Sequence, residues 1–251
     1  MVKKIIIKDN NIPHIKDNVS CIGYFDGVHL GHQELIKKTI SKAKKLNIIP
    51  SLICFEPDPS DFIGGIKNKH ILSYKNRIKT IEYFGIKQII VIRFNAEIMK
   101  ISPISFINNY LNKMNIKELV CGFDFRFGYR GEGNLDLLKS KGKFVVNIIP
   151  ELKYRNSKIS STRIKEAINK GKFKLTNRLL GYDYYIEIKV LKCSKMGLKW
   201  LINAKIYDGR CILPKNGIYN DNISINDGEI DIISDSKLKK GQILLINLYE
   251  N

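Results

Sequence analysis

Zinc-ligand spacing is missing from this chain. Its five cysteines, Cys21, Cys54, Cys121, Cys193 and Cys211, stand far apart with no Cys-x-x-Cys pair, which excludes zinc-ribbon and dithiol redox motifs. Cys21, Cys54 and Cys121 fall in or beside apolar runs and are expected to be buried thiols. No uninterrupted apolar segment approaches the length that spans a bilayer, and the opening MVKKIIIKDN turns polar too soon for a secretory leader. The expected setting is cytoplasmic, with no membrane partner. Acidic residues are also scarce, 24 Asp+Glu against 43 Lys+Arg, for a formal net charge of +19. Such a surface draws anionic substrates. The lysines are spread along the chain, however, and no basic block with interleaved aromatics marks a single-strand site, so nucleic acid is not an expected partner.

What the chain does have is apolar material for a sizeable core: 44% of its 251 residues are hydrophobic. Apolar runs at Val19–Tyr24, Ile48–Phe55, Gln88–Phe94, Glu118–Gly122 and Phe144–Ile149 read as strands, with a shorter one at Val2–Ile7. Between them lie helical patterns over about 31–46, Tyr74–Phe84, a segment from Ser102-Pro103 to about Met114, and Asn134–Lys141. Residues 58–70, which include Gly64 and Gly65, read as a loop. Strand and helix thus alternate through about residue 150, which predicts a parallel sheet covered on both faces. Two short helices around Lys170-Gly171 follow. After Gly181 the texture becomes all β, with strands expected at Tyr184–Leu191, Trp200–Tyr207, Ile212–Leu213, Ile223–Ile225, Ile230–Ile233 and Ile243–Leu248. The fold class is α/β, a Rossmann-like parallel sheet followed by a small all-β, barrel-like domain, with the domains at 1–181 and 182–251.

Three stretches carry chemistry. Val19–Ser41, VSCIGYFDGVHLGHQELIKKTIS, is a strand, a tight turn and a helix, with His29 and His32 in a His-Leu-Gly-His spacing at the junction. Backbone N–H groups and the positive end of a helix meet there, two imidazoles add donors, and Gly31 permits close approach; the combination suits phosphate. The plainer alternative is a strand–helix turn with two surface histidines. Gly122–Gly133, GFDFRFGYRGEG, joins aromatic faces, Arg126, Arg130 and the carboxylate of Asp124. Aromatics pack on a flat heterocycle, arginines fork onto phosphate, and a carboxylate bonds ring N–H groups or metal. Its alternative is a surface loop with aromatics packed beneath. Ser160–Lys165, SSTRIK, offers hydroxyls and cations at a helix start, or simple capping.

GYFDGVHLGHQELI, FEPDPSDF, CGFDFRFGYRGEGNLDLL and ISSTRIKEAINKGKF…LLGYDYYI, in this order and spacing, resemble the bacterial bifunctional riboflavin kinase/FAD synthetase family over about residues 15–190. The resemblance implies a nucleotidyltransferase domain that makes FAD and pyrophosphate from FMN and ATP with Mg²⁺, and a β-rich tail derived from the kinase barrel. It implies that His29 and His32 hold the ATP phosphates, with Gly23, Tyr24, Phe25, Asp26 and Gly27 shaping that loop. Ser161, Thr162, Arg163 and Lys165 then approach the phosphates, and His29, His32 and Arg163 are the expected catalytic residues. Phe55, Asp124, Phe125, Arg126, Phe127 and Arg130 are the expected flavin contacts.

The chain departs from the family pattern in places. Asp58 stands where the family commonly has His in Phe-Glu-Pro-His-Pro, so it is expected either to face away or to assist Mg²⁺. Lys165 replaces a second arginine. In the tail, KWLINAKI puts Asn203 and Lys205 where the barrel carries the Thr and Asn that serve ATP and Mg²⁺, and a lysine opposes metal binding. The stretch after Gly181 is also short for that barrel. The expected activity is therefore FMN adenylyl transfer with riboflavin kinase activity lost. The alternatives are a bifunctional enzyme, another His-x-Gly-His nucleotidyltransferase, and a non-catalytic flavin- or nucleic-acid-binding protein.

Overall fold

The central apolar runs become strands buried on both faces, the runs at the two sheet edges stay partly exposed, and the amphipathic segments become helices that cover the sheet. The computed structural model describes residues 2–62 and 69–249. Its contacts divide into two compact units, Met1–Asn68 with Lys75–Lys158, and Lys69–Tyr74 with Ile159–Asn251. In chain order the elements are β1 (Lys3–Ile7), β2 (Asn18–Ile22), α1 (Leu30–Leu46), β3 (Ile49–Glu56), α2 (Tyr74–Tyr83), β4 (Gln88–Arg93), α3 (Ala96–Lys100), α4 (Pro103–Asn109), β5 (Ile116–Gly122), α5 (Leu135–Lys141), β6 (Val145–Ile149) and a short hairpin, β7 (Lys153–Tyr154) with β8 (Ser157–Lys158).

Strands β1 to β6 form one all-parallel sheet in the order β1-β4-β3-β2-β5-β6. Every residue of β2 is buried, as is all of β4 but its last, as a parallel sheet covered by helices requires. Ile22, Ile53, Ile90, Leu119 and Leu138 are fully buried or nearly so in one cluster, each side chain contributing about 1.5–3 kcal/mol relative to exposure. From β2 the chain steps outward through β3 to β4, then returns to place β5 on the other side of β2. That reversal makes the carboxyl ends of β2 and β5 the topological switch point, where open α/β sheets hold ligands. The loops leaving those two strands are the His-x-Gly-His turn and the Phe123–Gly133 loop.

Local signals account for most boundaries. Lys44 and Lys45 lie in the last turn of α1, where cations meet the negative helix end, and Asn47 closes it in the left-handed region at φ 53°. Ser102 Oγ accepts from the Ser105 N–H at 3.1 Å and opens α4. The helix expected from there to Met114 stops at Asn109 and continues as a 3-10 turn over Leu111–Lys113. Helix α3, capped by Asn95 Oδ1 on the Ile98 N–H at 2.9 Å, is too short to carry a periodic signal. Of the loop expected over 58–70, Pro59–Phe62 forms a 3-10 turn, and Gly64 and Gly65 lie outside the described residues.

The second unit begins with α6 (Ser161–Asn169) and α7 (Phe173–Leu180), then β9 (Tyr185–Met196), β10 (Lys199–Ile206), β11 (Gly217–Tyr219), β12 (Ile223–Asn226), β13 (Glu229–Ser234) and β14 (Ile243–Asn247). These strands form a curled antiparallel sheet in the order β11-β12-β13-β10-β9-β14. Its two ends are tied by one side chain. Asn220 Nδ2 donates to the Asn247 carbonyl at 2.8 Å, and its Oδ1 accepts from the Tyr249 N–H at 2.6 Å. The strand expected at Ile212–Leu213 does not form. The Ile212 N–H donates to the His70 carbonyl at 2.8 Å, its own carbonyl accepts from the Tyr184 hydroxyl at 2.8 Å, and Pro214 follows with no N–H to donate. The strand lies instead at β11.

Candidate active site

The turn between β2 and α1 is tightly wound. Phe25, Gly27 and Val28 have φ of 62°, 72° and 40°. Left-handed backbone is ordinary for Gly27, but at Phe25 and the β-branched Val28 it costs on the order of 1–3 kcal/mol each. Complete burial of both side chains holds them there. The Phe25 ring lies 5.0 Å from that of His32, and a side chain on Gly23 would come within 3.2 Å of the Phe25 ring. Gln33 fixes the turn from the helix side, its Nε2 donating to the Val28 carbonyl at 2.9 Å.

His29 caps α1: its Nδ1 accepts from the backbone N–H of His32 at 3.3 Å. A nitrogen that accepts carries no proton, so the neutral ring bears its proton on Nε2. The two imidazoles stack with centroids 3.7 Å apart at 17°. Burial pushes the His29 pKa down to about 4, with Asp26 opposing and Lys158 adding to the shift. Burial also holds His32 well below the usual histidine value, helped by His29 and by the Arg77 guanidinium. The pair is therefore neutral at pH 7. Nδ1 of His32 is buried and has no hydrogen-bond partner among the described residues, the kind of unsatisfied group that sites retain for a ligand. Space at Gly31 is tight: an added Cβ would lie 3.2 Å from His29 Cε1 and 3.3 Å from Nδ1, so the ring would have to give by a few tenths of an ångström.

Beneath the turn is a residue that sequence reasoning missed. Arg77, on α2, is only 2% exposed, and its guanidinium stands 4.0 Å above the Tyr24 ring. The signal was present: Tyr74, Arg77, Ile78 and Ile81 share one helix face, and an arginine within an apolar stripe calls for a partner. Tyr24 is raised well above its ordinary pKa, mainly by burial, with Arg77 opposing and Asp58 and Asp26 adding to it. Asp58 is buried, and its charge bears on this tyrosine.

The loop after β5 divides its aromatics. Phe127 is buried and Phe125 half-buried; they stack at 5.6 Å and belong to the core cluster that also takes Phe55 and Phe106. Phe123, Asp124, Arg126, Tyr129 and Arg130 are exposed, with the Arg130 guanidinium 5.1 Å from the Tyr129 ring. Asp124 forms an ion pair with Lys158, whose ammonium also lies 5.1 Å from the Phe123 ring. Since Lys158 acts on His29 as well, this lysine, also missed from sequence, links the β5 loop to the histidine pair. In the second unit, Ser160 caps α6 by accepting from the Arg163 N–H at 3.3 Å. That places Ser161, Thr162 and Arg163 in the first turn, with Lys165 after them. Cys21, Cys54 and Cys121 are buried thiols as expected, pushed up by burial to about 12, 11 and 11.

Residues 11–163 match the FAD synthetase family. A bifunctional riboflavin kinase/FMN adenylyltransferase from Buchnera aphidicola is 39% identical over 88% of this chain and 73% of its own. An FAD synthetase from Listeria monocytogenes is 31% identical over 67% of this chain and 70% of its own. The crystal structure of a macrolide-efflux protein from Streptococcus pneumoniae superposes with a TM-score of 0.87 at 25% identity, over 99% of this chain and 90% of that one. Among the described residues, no helix here is long and apolar enough to cross a membrane.

Proposed function

The chain belongs to the FAD synthetase family, and from that premise we propose that its histidine turn holds ATP while AMP passes to FMN, giving FAD and pyrophosphate. The enzyme is a nucleotidyltransferase with ATP and FMN as substrates. The observation that carries the site is the stacked, neutral His29–His32 pair at the start of α1. Held as a neutral ring with its proton on Nε2, His29 donates to a phosphate oxygen without giving up a proton. The α1 N-terminus and the ammonium of Lys158 add positive potential. A phosphate oxygen of FMN attacks the α-phosphorus, the bond from that phosphorus to the β-phosphate oxygen breaks, and pyrophosphate leaves with the electron pair. The protein contributes positioning and stabilisation of developing negative charge, and no covalent intermediate is needed.

By the family pattern, Ser161, Thr162, Arg163 and Lys165 are assigned to ATP phosphate, Arg163 as a catalytic residue, and the adenylyl-transferring domain is taken to extend to residue 181. Asp124, Arg126 and Arg130 face the flavin, while Phe55, Phe125 and Phe127 shape its side of the loop from the core. Mg²⁺ takes hard oxygen donors. Asp26 and Asp58, whose charges both bear on Tyr24, offer that chemistry and would hold it against the phosphates, where it neutralises charge. The setting is cytoplasmic.

Riboflavin kinase activity is lost in this reading. Asn203 donates through Nδ2 to Asp231 Oδ1 at 2.6 Å, so its amide is engaged across the sheet. Lys205 is an exposed lysine opposite Lys189. The bifunctional relative supports a second reading, in which the sheet still phosphorylates riboflavin. Incubation with Mg-ATP and either FMN or riboflavin, followed by chromatography of the flavins, separates the two. FAD from FMN with no FMN from riboflavin is expected. FMN from riboflavin would restore bifunctionality, and no product from either would overturn both.

A further inference from the structure

The hairpin joining β9 to β10 ends in an exposed apolar tip. Leu198 is 99% exposed and Met196 46% exposed, on either side of Gly197 at φ 59°. The tip is framed by cations. Lys199 pairs in register with Met196, and Lys195 with Trp200. Lys237 comes in from the segment after β13, its ammonium 5.3 Å from the Trp200 ring. Lys237 also joins Lys192, Lys239 and Lys240 in rimming an open cleft of about 490 Å³ whose apolar lining includes Leu191 and Leu238. Asp235 lies 3.9 Å from Lys199 and offsets part of that charge.

We propose that this surface docks the protein on an anionic phospholipid bilayer, with Leu198 and Met196 entering the acyl boundary, Trp200 at headgroup depth, and the lysine-rimmed cleft seating a phosphate headgroup. Each part has its physical role. Aliphatic side chains partition into hydrocarbon, and tryptophan prefers the interface. Lysines add attraction to anionic lipid that decays within a Debye length, and their stems lie along apolar surface while the ammonium stays wet. Single-stranded nucleic acid fits less well, because it is held by open aromatic faces. Here one face of Trp200 is taken by Lys237 and the exposed tip is aliphatic. The mode is peripheral and separate from spanning, and it uses none of the residues assigned to adenylyl transfer.

Trp200 is the chain's single tryptophan, so its emission reports on this patch alone. The full chain is mixed with vesicles of phosphatidylcholine, with or without phosphatidylglycerol, and emission is read alongside co-sedimentation. A blue shift and co-sedimentation with the anionic vesicles only are expected, weakening with salt. The paired change Met196→Asp with Leu198→Asp abolishes the shift and weakens binding by at least about tenfold, while FAD synthesis in solution is unchanged and shows that the variant is folded. Failure of the native chain to bind anionic vesicles at low salt overturns the proposal. So does equal binding by the double variant, which would reduce the effect to bulk charge. A Trp200 shift with single-stranded RNA but not with vesicles overturns it in favour of a nucleic-acid surface.

Discussion

His29 and His32 are coupled twice over: the backbone N–H of His32 donates to Nδ1 of His29 at 3.3 Å, and the two rings stack 3.7 Å apart. One bond both caps the helix and selects the tautomer. Replacing either residue by Ala is expected to lower FAD synthesis by about 10²–10³, the usual cost of a lost phosphate donor in a preorganised site. His29→Asn keeps a capping acceptor and is expected to preserve the helix while losing activity. Steady-state kinetics with circular dichroism distinguishes the two effects, and unchanged turnover in both alanine variants would remove the pair from the site.

Gly31→Ala tests the same coupling from the backbone. Alanine favours a helix over glycine by about 1 kcal/mol, yet its Cβ would stand 3.2 Å from His29 Cε1. Turnover is expected to fall about tenfold or more, as small misplacements do in positioned chemistry, while the melting temperature holds or rises. A fall in stability with no change in turnover would mean the ring has room to move.

Protonation of His29 sets a pH limit. Its folded pKa is about 4, against 6.5 for the free side chain. Between those values the unfolded chain binds a proton that the folded chain refuses, so stability is fully present above pH 6.5 and falls as pH drops toward 4. The loss approaches roughly 3 kcal/mol from this residue. Urea unfolding from pH 7 down to pH 4.5 should show the slope, and His29→Asn should flatten it.

Arg77 binds the turn to α2 through Tyr24. Arg77→Met removes a buried cation and is expected to cost on the order of 2–4 kcal/mol in stability together with most of the activity. Arg77→Lys keeps the charge but loses the planar stacking, and should recover the fold better than the rate. Thermal melts and kcat/KM on the three proteins test this; a methionine variant with native kinetics would make Arg77 purely structural.

Asn220 joins the two ends of the antiparallel sheet. Asn220→Ala deletes both bonds and is expected to cost about 1–2 kcal/mol, with FAD synthesis from FMN unchanged. Equal melting temperatures would show that water replaces the side chain at no cost.

The sequence by itself determined the strands of the parallel sheet, because a strand buried on both faces must be apolar throughout: the runs at Val19–Tyr24, Ile48–Phe55 and Gln88–Phe94 fall on β2, β3 and β4. It also determined the histidine turn, whose phosphate-holding character depends on local spacing, on Gly31 and on the start of a helix. Spatial proximity was not legible. Arg77 lies 53 positions beyond Tyr24 and Lys158 lies 34 beyond Asp124, and only the order of the sheet and the packing of α2 bring each pair together. Tertiary structure likewise divided the Phe123–Gly133 loop, sending Phe127 into the core and leaving Phe123 outside, since aromatic content alone does not say which ring faces in. It withheld a strand from Ile212–Leu213 because that backbone had already spent its hydrogen bonds on His70 and Tyr184, a competition settled by partners distant in the chain.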